Sequence, residues 1–391
     1  MSRALFALAV GAFGIGCTEF VMMGLLPQIG ADLHVSVPAM GVVITAYAIG
    51  VVIGAPTTTL VATWLTTRQT LMTLMAVFVT GNLLVALAPS FQVLLAARVL
   101  TALAHGSFFG VGAIAARRAV APHRATQAIS LMFVGLTVAN VVGVPAGTWV
   151  GQHLTWRLTF AAVAGIGLLT VLALRLLLPE DQVRIDVRAE LGAFRRPRVW
   201  LGLAITTVGF GSLFAVYSYV TPILTELSGL GPTGVTVVLA LFGAGTTVGT
   251  LVGGRFGDRW GMPVVAWGLA VVALLLVAFT VTSAAAVPAV VTLVAFGMVA
   301  FSLGPVVQNR IIVEAGTGGS LVSAANQGAF NVANAIGAGL GALVIEVGLG
   351  YRATMWVGAA LAVAGAVMVA ATLGYTGDRR RIAEPAAELV G

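Results

Sequence analysis

Ala139-Asn140-Val141-Val142-Gly143 and Ala333-Asn334-Ala335-Ile336-Gly337 are two copies of one phrase, about 194 residues apart, each set in a long apolar stretch. A similar offset relates Trp156-Arg157 to Tyr351-Arg352, and Gly50 and Gly54 to Gly245 and Gly249. The chain therefore reads as one unit of roughly half its length, duplicated in parallel. Duplicated halves that face each other across a central site are characteristic of secondary transporters.

Composition points the same way. Charged residues make up 8% of the 391-residue chain, against about 25% in ordinary soluble domains, and mean hydropathy is +1.05. An ordinary soluble fold is excluded. The 49 glycines suit helices that approach closely in lipid through small residues. Every one of the 20 basic residues is Arg. The formal charge of +7 could suit a polyanion, but the arginine positions described below assign it to topology, and no nucleic-acid partner is expected. Cys17 is the only cysteine, which rules out a disulfide framework and a thiolate metal cluster. A cleavable signal peptide is not expected, because the first apolar stretch is too long and lacks a small-residue cleavage site.

A bilayer core takes about 20 apolar residues per helix. The apolar runs predict twelve spans, at 4–28, 38–62, 69–88, 92–116, 127–150 and 156–178, then 199–226, 233–254, 263–284, 286–312, 319–346 and 352–375. Continuous apolar runs, without period-two alternation, argue against a β-barrel. With the N-terminus inside, 17 of the 20 arginines fall on the cytoplasmic side, leaving Arg98, Arg157 and Arg352. The opposite side carries Asp32, Glu226 and Glu346. The expected architecture is all-α and integral to the membrane: a six-helix bundle over 1–179, a cytoplasmic linker over 180–198, a second bundle over 199–376 and a disordered cytoplasmic tail over 377–391.

Glu19 is the sharpest functional candidate. It is the only acidic or basic side chain in the first span. Holding such a charge at membrane depth costs several kcal/mol, so it faces a water-filled cavity or a partner. Low-dielectric surroundings disfavour the charged form of a carboxyl, and one that exchanges its proton can couple substrate exit to proton entry. Arg98, in the fourth span, has no means of losing its charge and must find water, a carbonyl or a carboxylate. His105 lies seven residues on, about two turns along the same face. In the fifth span Gly135, Ala139, Gly143, Gly147 and Gly151 put a small residue at every fourth position, with Pro145 embedded. Such a helix can act as a hinge or as a sealed interface between the halves. Gly254-Arg255-Phe256-Gly257-Asp258-Arg259-Trp260-Gly261 sits at the cytoplasmic edge, where Asp258 and its arginines could form a charge-relay clamp. Catalytic constellations are absent. Without Lys there is no phosphate loop of the Gly-x-x-x-x-Gly-Lys type, and the four histidines form no zinc motif. Neither an enzyme activity nor a cofactor nor a metal is expected; a proton gradient supplies the energy.

Nearly the whole chain resembles the twelve-helix drug:proton antiporters of the major facilitator superfamily, in particular bacterial chloramphenicol exporters and arabinose-efflux-like permeases. Thr18-Glu19-Phe20-Val21-Met22-Met23-Gly24-Leu25-Leu26-Pro27 is similar to their first-span signature. Arg98 to Gly106 resembles the fourth-span motif whose Arg is linked to proton coupling. Gly135 to Gly151 resembles the fifth-span antiporter motif, which implies export, and Gly254 to Gly261 resembles the cytoplasmic loop signature. One departure stands out. In the first-half loop the repeat offset places Thr63 where Asp258 stands in the second half, so the acidic residue is missing there.

The expectation is thus a monomeric antiporter of the bacterial inner membrane that exports a small, moderately apolar compound, such as chloramphenicol, against proton entry. Glu19, Arg98 and His105 would handle the proton. The cavity would be lined by Met22, Met23, Asn140, Tyr217, Tyr219, Gln327, Asn331 and Asn334. Gly143, Pro145 and Gly147, with Gly254, Asp258 and Arg259, would serve as hinge and gate. A sugar or nucleoside exporter of the same fold is the alternative, kept open by the amides.

Overall fold

A computed structural model describes residues 3–35, 37–61, 64–180, 187–316 and 319–376. Among these there is no strand. Twelve long helices run in order: α1 Arg3–Asp32, α2 Val37–Val61, α3 Thr67–Ala86, α4 Phe91–Arg118, α5 125–155, α6 Trp156–Leu177, α7 Pro197–Tyr217 (followed, after a turn, by a short helical stretch over 220–227), α8 Pro232–Trp260, α9 Pro263–Thr282, α10 Ala286–Ala315, α11 Gly319–Glu346 and α12 Arg352–Thr376. A short helix, Val187–Ala193, precedes α7. By length and composition ten helical stretches among the described residues can cross a membrane, one of them the continuous 56-residue run Pro122–Leu177. Thr155, extended at φ −156°, breaks that run into α5 and α6, and α2 adds a shorter apolar stretch, Val42–Thr57. Thr63, Arg184, linker positions 181–186 and the tail with Arg379, Arg380 and Arg381 lie outside the described residues.

Local chemistry explains the helix ends. Thr66 and Gln69 form a reciprocal capping box at the start of α3, worth about 1 kcal/mol. Pro197 and Pro263 open α7 and α9, where a missing N–H costs nothing. Gly261 closes α8 at φ +60°, a conformation that penalises any Cβ.

The helices form two rings. α1, α2, α4 and α5 surround the centre together with α7, α8, α10 and α11. The remaining helices lie outside and turn apolar side chains outward, including Leu168, Leu169 and Leu176 on α6, and Trp267, Leu274 and Val281 on α9. In water such a surface would be strongly unfavourable; against lipid tails it is neutral ground. Small residues let neighbouring helices touch. Gly54 of α2 lies against the Leu103 backbone of α4, and Gly249 of α8 lies against the Met298 backbone of α10.

Hydrogen bonds between the first six helices and the last six gather at one end. Arg117 donates to the Asn309 carbonyl, the Asn309 amide donates to Thr126 at 2.8 Å, and Ser323 donates to the Gly110 carbonyl at 3.0 Å. Asp258 joins them, as described below. That end is closed.

Candidate functional site

Between the two sets of central helices lies a cavity of about 130 Å³. Aromatic rings dominate its wall: Phe20, Phe133, Phe210, Phe214, Tyr217, Phe242, Phe301 and Phe330 all reach it. Tyr217 stacks on Phe242 with centroids 4.8 Å apart, which holds both rings in place. Four amides, Asn140, Gln327, Asn331 and Asn334, supply the polar contacts. Asn140 and Asn334 are the paired asparagines of the repeated phrase, and both face this space. Two larger grooves, of about 370 and 960 Å³, lie elsewhere, walled by the ends of α7–α10 and α12. Neither brings the two sets of helices together, so the central cavity is the candidate site.

Glu19 is the only carboxylate on the cavity wall, and it makes no hydrogen bond or ion pair with the described residues. Arg98 acts on it electrostatically but is anchored elsewhere. Arg98 is 1% exposed. One of its terminal nitrogens donates to the Thr18 carbonyl at 2.9 Å and to the Thr18 hydroxyl at 3.1 Å. That hydroxyl in turn donates to Asn82 at 2.6 Å. The guanidinium lies 4.1 Å from the centre of the Tyr47 ring, a cation–π contact that helps to hold a desolvated charge. The Tyr47 hydroxyl shares a hydrogen bond of 3.1 Å with His105 Nδ1. Arg98 and His105 therefore stand on one wall with Tyr47 bridging them, and Arg98 Nε is left as a buried donor without a partner. Tyr47, Thr18 and Asn82 are participants that the sequence did not single out.

The second set of helices holds a polar cluster of different character. Asn326 and Gln327 both donate to Gln308, at 2.6 and 3.1 Å, and Gln308 donates to Ser323. Thr206 donates to Asn326 at 2.7 Å. All these groups are neutral. The carboxyl, guanidinium and imidazole sit on α1 and α4, and the other side of the cavity offers amides, hydroxyls, rings and aliphatic groups.

Residues 8–327 match the family model of the Major Facilitator Superfamily. The chain belongs to that superfamily. It is 40% identical over 360 residues to the inner membrane transport protein YdhP of Escherichia coli (strain K12), covering 92% of each chain. Over 361 residues it is 33% identical to a chloramphenicol resistance protein of Streptomyces lividans, covering 90% of each. The crystal structure of the human organic anion transporter MFSD10 (TETRAN) superposes with a TM-score of 0.77 at 14% identity, covering 94% of this chain and 99% of that one. At that identity the likeness is one of fold. The molecule is a multi-pass membrane transporter of the major facilitator type.

Within this major facilitator fold several expected roles change. Met22 does not reach the cavity. It is fully buried in a cluster with Leu25, Val43 and Phe160, because it lies one residue, or about 100°, from Met23, which does reach it. Tyr219 also lies off the wall, with its hydroxyl donating to the Ala338 carbonyl at 2.6 Å. The small-residue stripe of α5 is not an interface between the halves. Gly135, Gly143, Gly147 and Gly151 lie against Ala9, Cys17, Val21 and Leu25, all on α1. Pro145 leaves the Val141 carbonyl without its usual donor, and α5 is π-helical over Ala139–Gly143 immediately before it. Nor does Asp258 pair with arginine in a relay. Its carboxylate accepts the backbone N–H groups of Thr126 at 2.7 Å and Gln127 at 3.0 Å, at the start of α5. The unpaired N–H groups and positive dipole of a helix N-terminus draw an anion there. Arg259 instead lies over the Trp260 ring at 5.2 Å. Gly254 permits the close approach, lying against Ser130 and Gln127.

Proposed function

We propose that this carrier is a proton-coupled exporter of a small, moderately apolar compound of the chloramphenicol type, set in the bacterial inner membrane with both termini cytoplasmic. The observation that carries this reading is Glu19. It is a lone carboxylate on an aromatic wall, and its nearest cation is already held by Thr18 and Tyr47. A carboxylate free of a fixed ion pair can give its proton up and take it back. Protonated from outside, Glu19 releases its proton inward as substrate enters; Arg98, with one donor unused, steadies the ionised form. Rings and Met23 give adaptable apolar contact, while the four amides orient polar substituents. A neutral or singly charged substrate follows from the single acidic group.

The alternating-access cycle runs between two six-helix halves, 1–179 and 199–376, joined by the linker. Duplication of the halves is supported by corresponding contacts: Gly50 against Val99 and Gly54 against Leu103 in one, Gly245 against Val294 and Gly249 against Met298 in the other. Arginine placement makes the closed end the cytoplasmic one, so the conformation described above is closed inward. A cavity of about 130 Å³ is smaller than the ~300–1,000 Å³ of drug-sized sites, so rings must turn aside as substrate enters.

The test is chloramphenicol uptake into acid-inside proteoliposomes with the cytoplasmic face outward. Gradient-driven accumulation is expected for wild type and should vanish in Glu19→Gln. Accumulation that survives the substitution moves the proton site elsewhere. None in wild type removes this drug as substrate and turns attention to sugars and nucleosides, which the amides of the wall would suit.

A further inference from the structure

Asp258 binds the first turn of α5, yet the first half has no matching acid, because the offset places Thr63 there. The first turn of α11 is nonetheless occupied. Glu190, on the short helix Val187–Ala193, turns both carboxylate oxygens toward it. The Ser320 N–H donates to one oxygen at 3.1 Å and the Leu321 N–H to the other at 2.7 Å. Ser320 and Leu321 lie 194 positions after Thr126 and Gln127, whose N–H groups Asp258 accepts. The same two backbone donors are therefore met by a carboxylate in both halves, one from α8 and the other from the linker.

Glu190 is 2% exposed, unusual burial for a linker carboxylate, and costly unless it is fully bonded. The chain is anchored before, within and after its helix. Glu180, at the start of the linker, pairs with Arg68 of α3 at 2.6 Å. Ala193 is buried in a cluster that joins Leu8 and Ala116 to Ile311, Ile312 and Val322. Arg196 donates to the Glu314 carbonyl at the end of α10 at 2.9 Å. From Val187 on, the linker thus lies across the closed end, and Glu190 is where it grips α11. Beside that grip α4 and α11 are in direct contact, Gly110 against Ala324.

We propose that Glu190 is a positioning residue of the transport cycle, a second latch on the closed end that replaces the acid missing from the first half. The proposal rests on the alternating-access reading above. When that end opens, α11 leaves the first half and the Glu190 contact is released. The linker is then a working part of the gate, not only a tether.

A thiol reporter distant from Glu190 tests this. Ser130, buried on α5 against Gly254, is close in size to cysteine, and the only native thiol, Cys17, is buried between α1 and α5. Full-length protein carrying Ser130→Cys is placed in lipid nanodiscs, and alkylation at positions 130 and 17 is read separately by peptide mass. Glu190→Ala should raise the rate at position 130 by about fivefold, the equivalent of one lost cap, and Asp258→Ala should do the same. Glu190→Asp, which keeps the charge, should fall between wild type and Glu190→Ala. If Asp258→Ala raises the rate and Glu190→Ala does not, Glu190 merely caps a helix and the latch is refuted. If neither does, the end does not open, and the alternating-access reading falls together with the latch. A parallel rise at Cys17 would report general loosening of the fold and would also refute it, since a latch frees one end only.

Discussion

Arg98 shows what one side chain must solve inside a membrane. It cannot discharge, so its 1% exposure requires partners supplied by the fold. It finds a carbonyl, a hydroxyl and a ring, each from a different neighbour or a different atom of one. Lysine in its place keeps the charge but loses the planar fork and the stacking surface. Arg98→Lys should therefore lower substrate-dependent proton flux by about tenfold or more, as cation–π contacts away from water are worth about 2 kcal/mol. Tyr47→Phe keeps the ring and removes only the link to His105, so it should cost much less, whereas Tyr47→Ala should approach Arg98→Lys. Flux in proteoliposomes across the three variants checks the order; equal losses would mean that the hydroxyl, not the ring, matters. Glu19, Arg98 and His105 could be picked from the sequence because a charge or imidazole in an apolar run is conspicuous. Tyr47, Thr18 and Asn82 could not, since lone hydroxyls and amides are ordinary in such helices. Only the packing of α2 and α3 beside α4 and α1 gives them a role. Met22 and Met23 show the same limit, because the rotational phase of an all-apolar helix is not written in its apolar pattern.

At the scale of the helix, close approach is decided by glycine. Where Gly249 meets the Met298 carbonyl, a Cβ has no room, and the obstacle is backbone that cannot rotate away. Gly249→Ala should push α8 from α10 and lower stability by about 1–3 kcal/mol, as overpacking does. Thermal unfolding in detergent should show a clear drop in midpoint. Gly339→Ala on α11, where nothing stands within 4 Å, should leave it unchanged. An unchanged midpoint for both would show that α8 and α10 can separate freely. Most helix limits were readable beforehand, because the apolar runs end at polar, Gly or Pro residues that mark them by local chemistry alone. The π-helical turn of α5 at Ala139–Gly143 was not, since it answers a backbone conflict at Pro145 that becomes visible only in three dimensions. The direction of its small-residue stripe was equally hidden. Four-residue spacing says that a helix has a thin face, not which neighbour fills it.

For the whole molecule, the closed end is held by two carboxylates at two helix starts, Asp258 at α5 and Glu190 at α11. The first lay in a motif and stood out in the sequence, though its binding to a helix start did not. The second could not, because a polar linker looks like solvent-exposed chain and nothing local says that its glutamate is buried. If both act on one open–closed equilibrium, their effects must combine in a particular way. Each lost cap contributes about 1 kcal/mol, or about fivefold in the fraction open. Contacts in separate places that bias the same two states add in free energy. Asp258→Ala with Glu190→Ala should therefore raise alkylation at Ser130→Cys by about 25-fold, the product of the single effects. A double variant no faster than either single one would mean that each contact alone is needed to hold the end shut, so that losing one already opens it fully. A double variant much faster than the product would mean that either latch holds by itself, each masking the loss of the other. On the proposed coupling and orientation, proton-driven uptake by the same variants should fall as the open fraction rises, since a carrier that rests open toward the cytoplasm returns slowly to collect its proton outside.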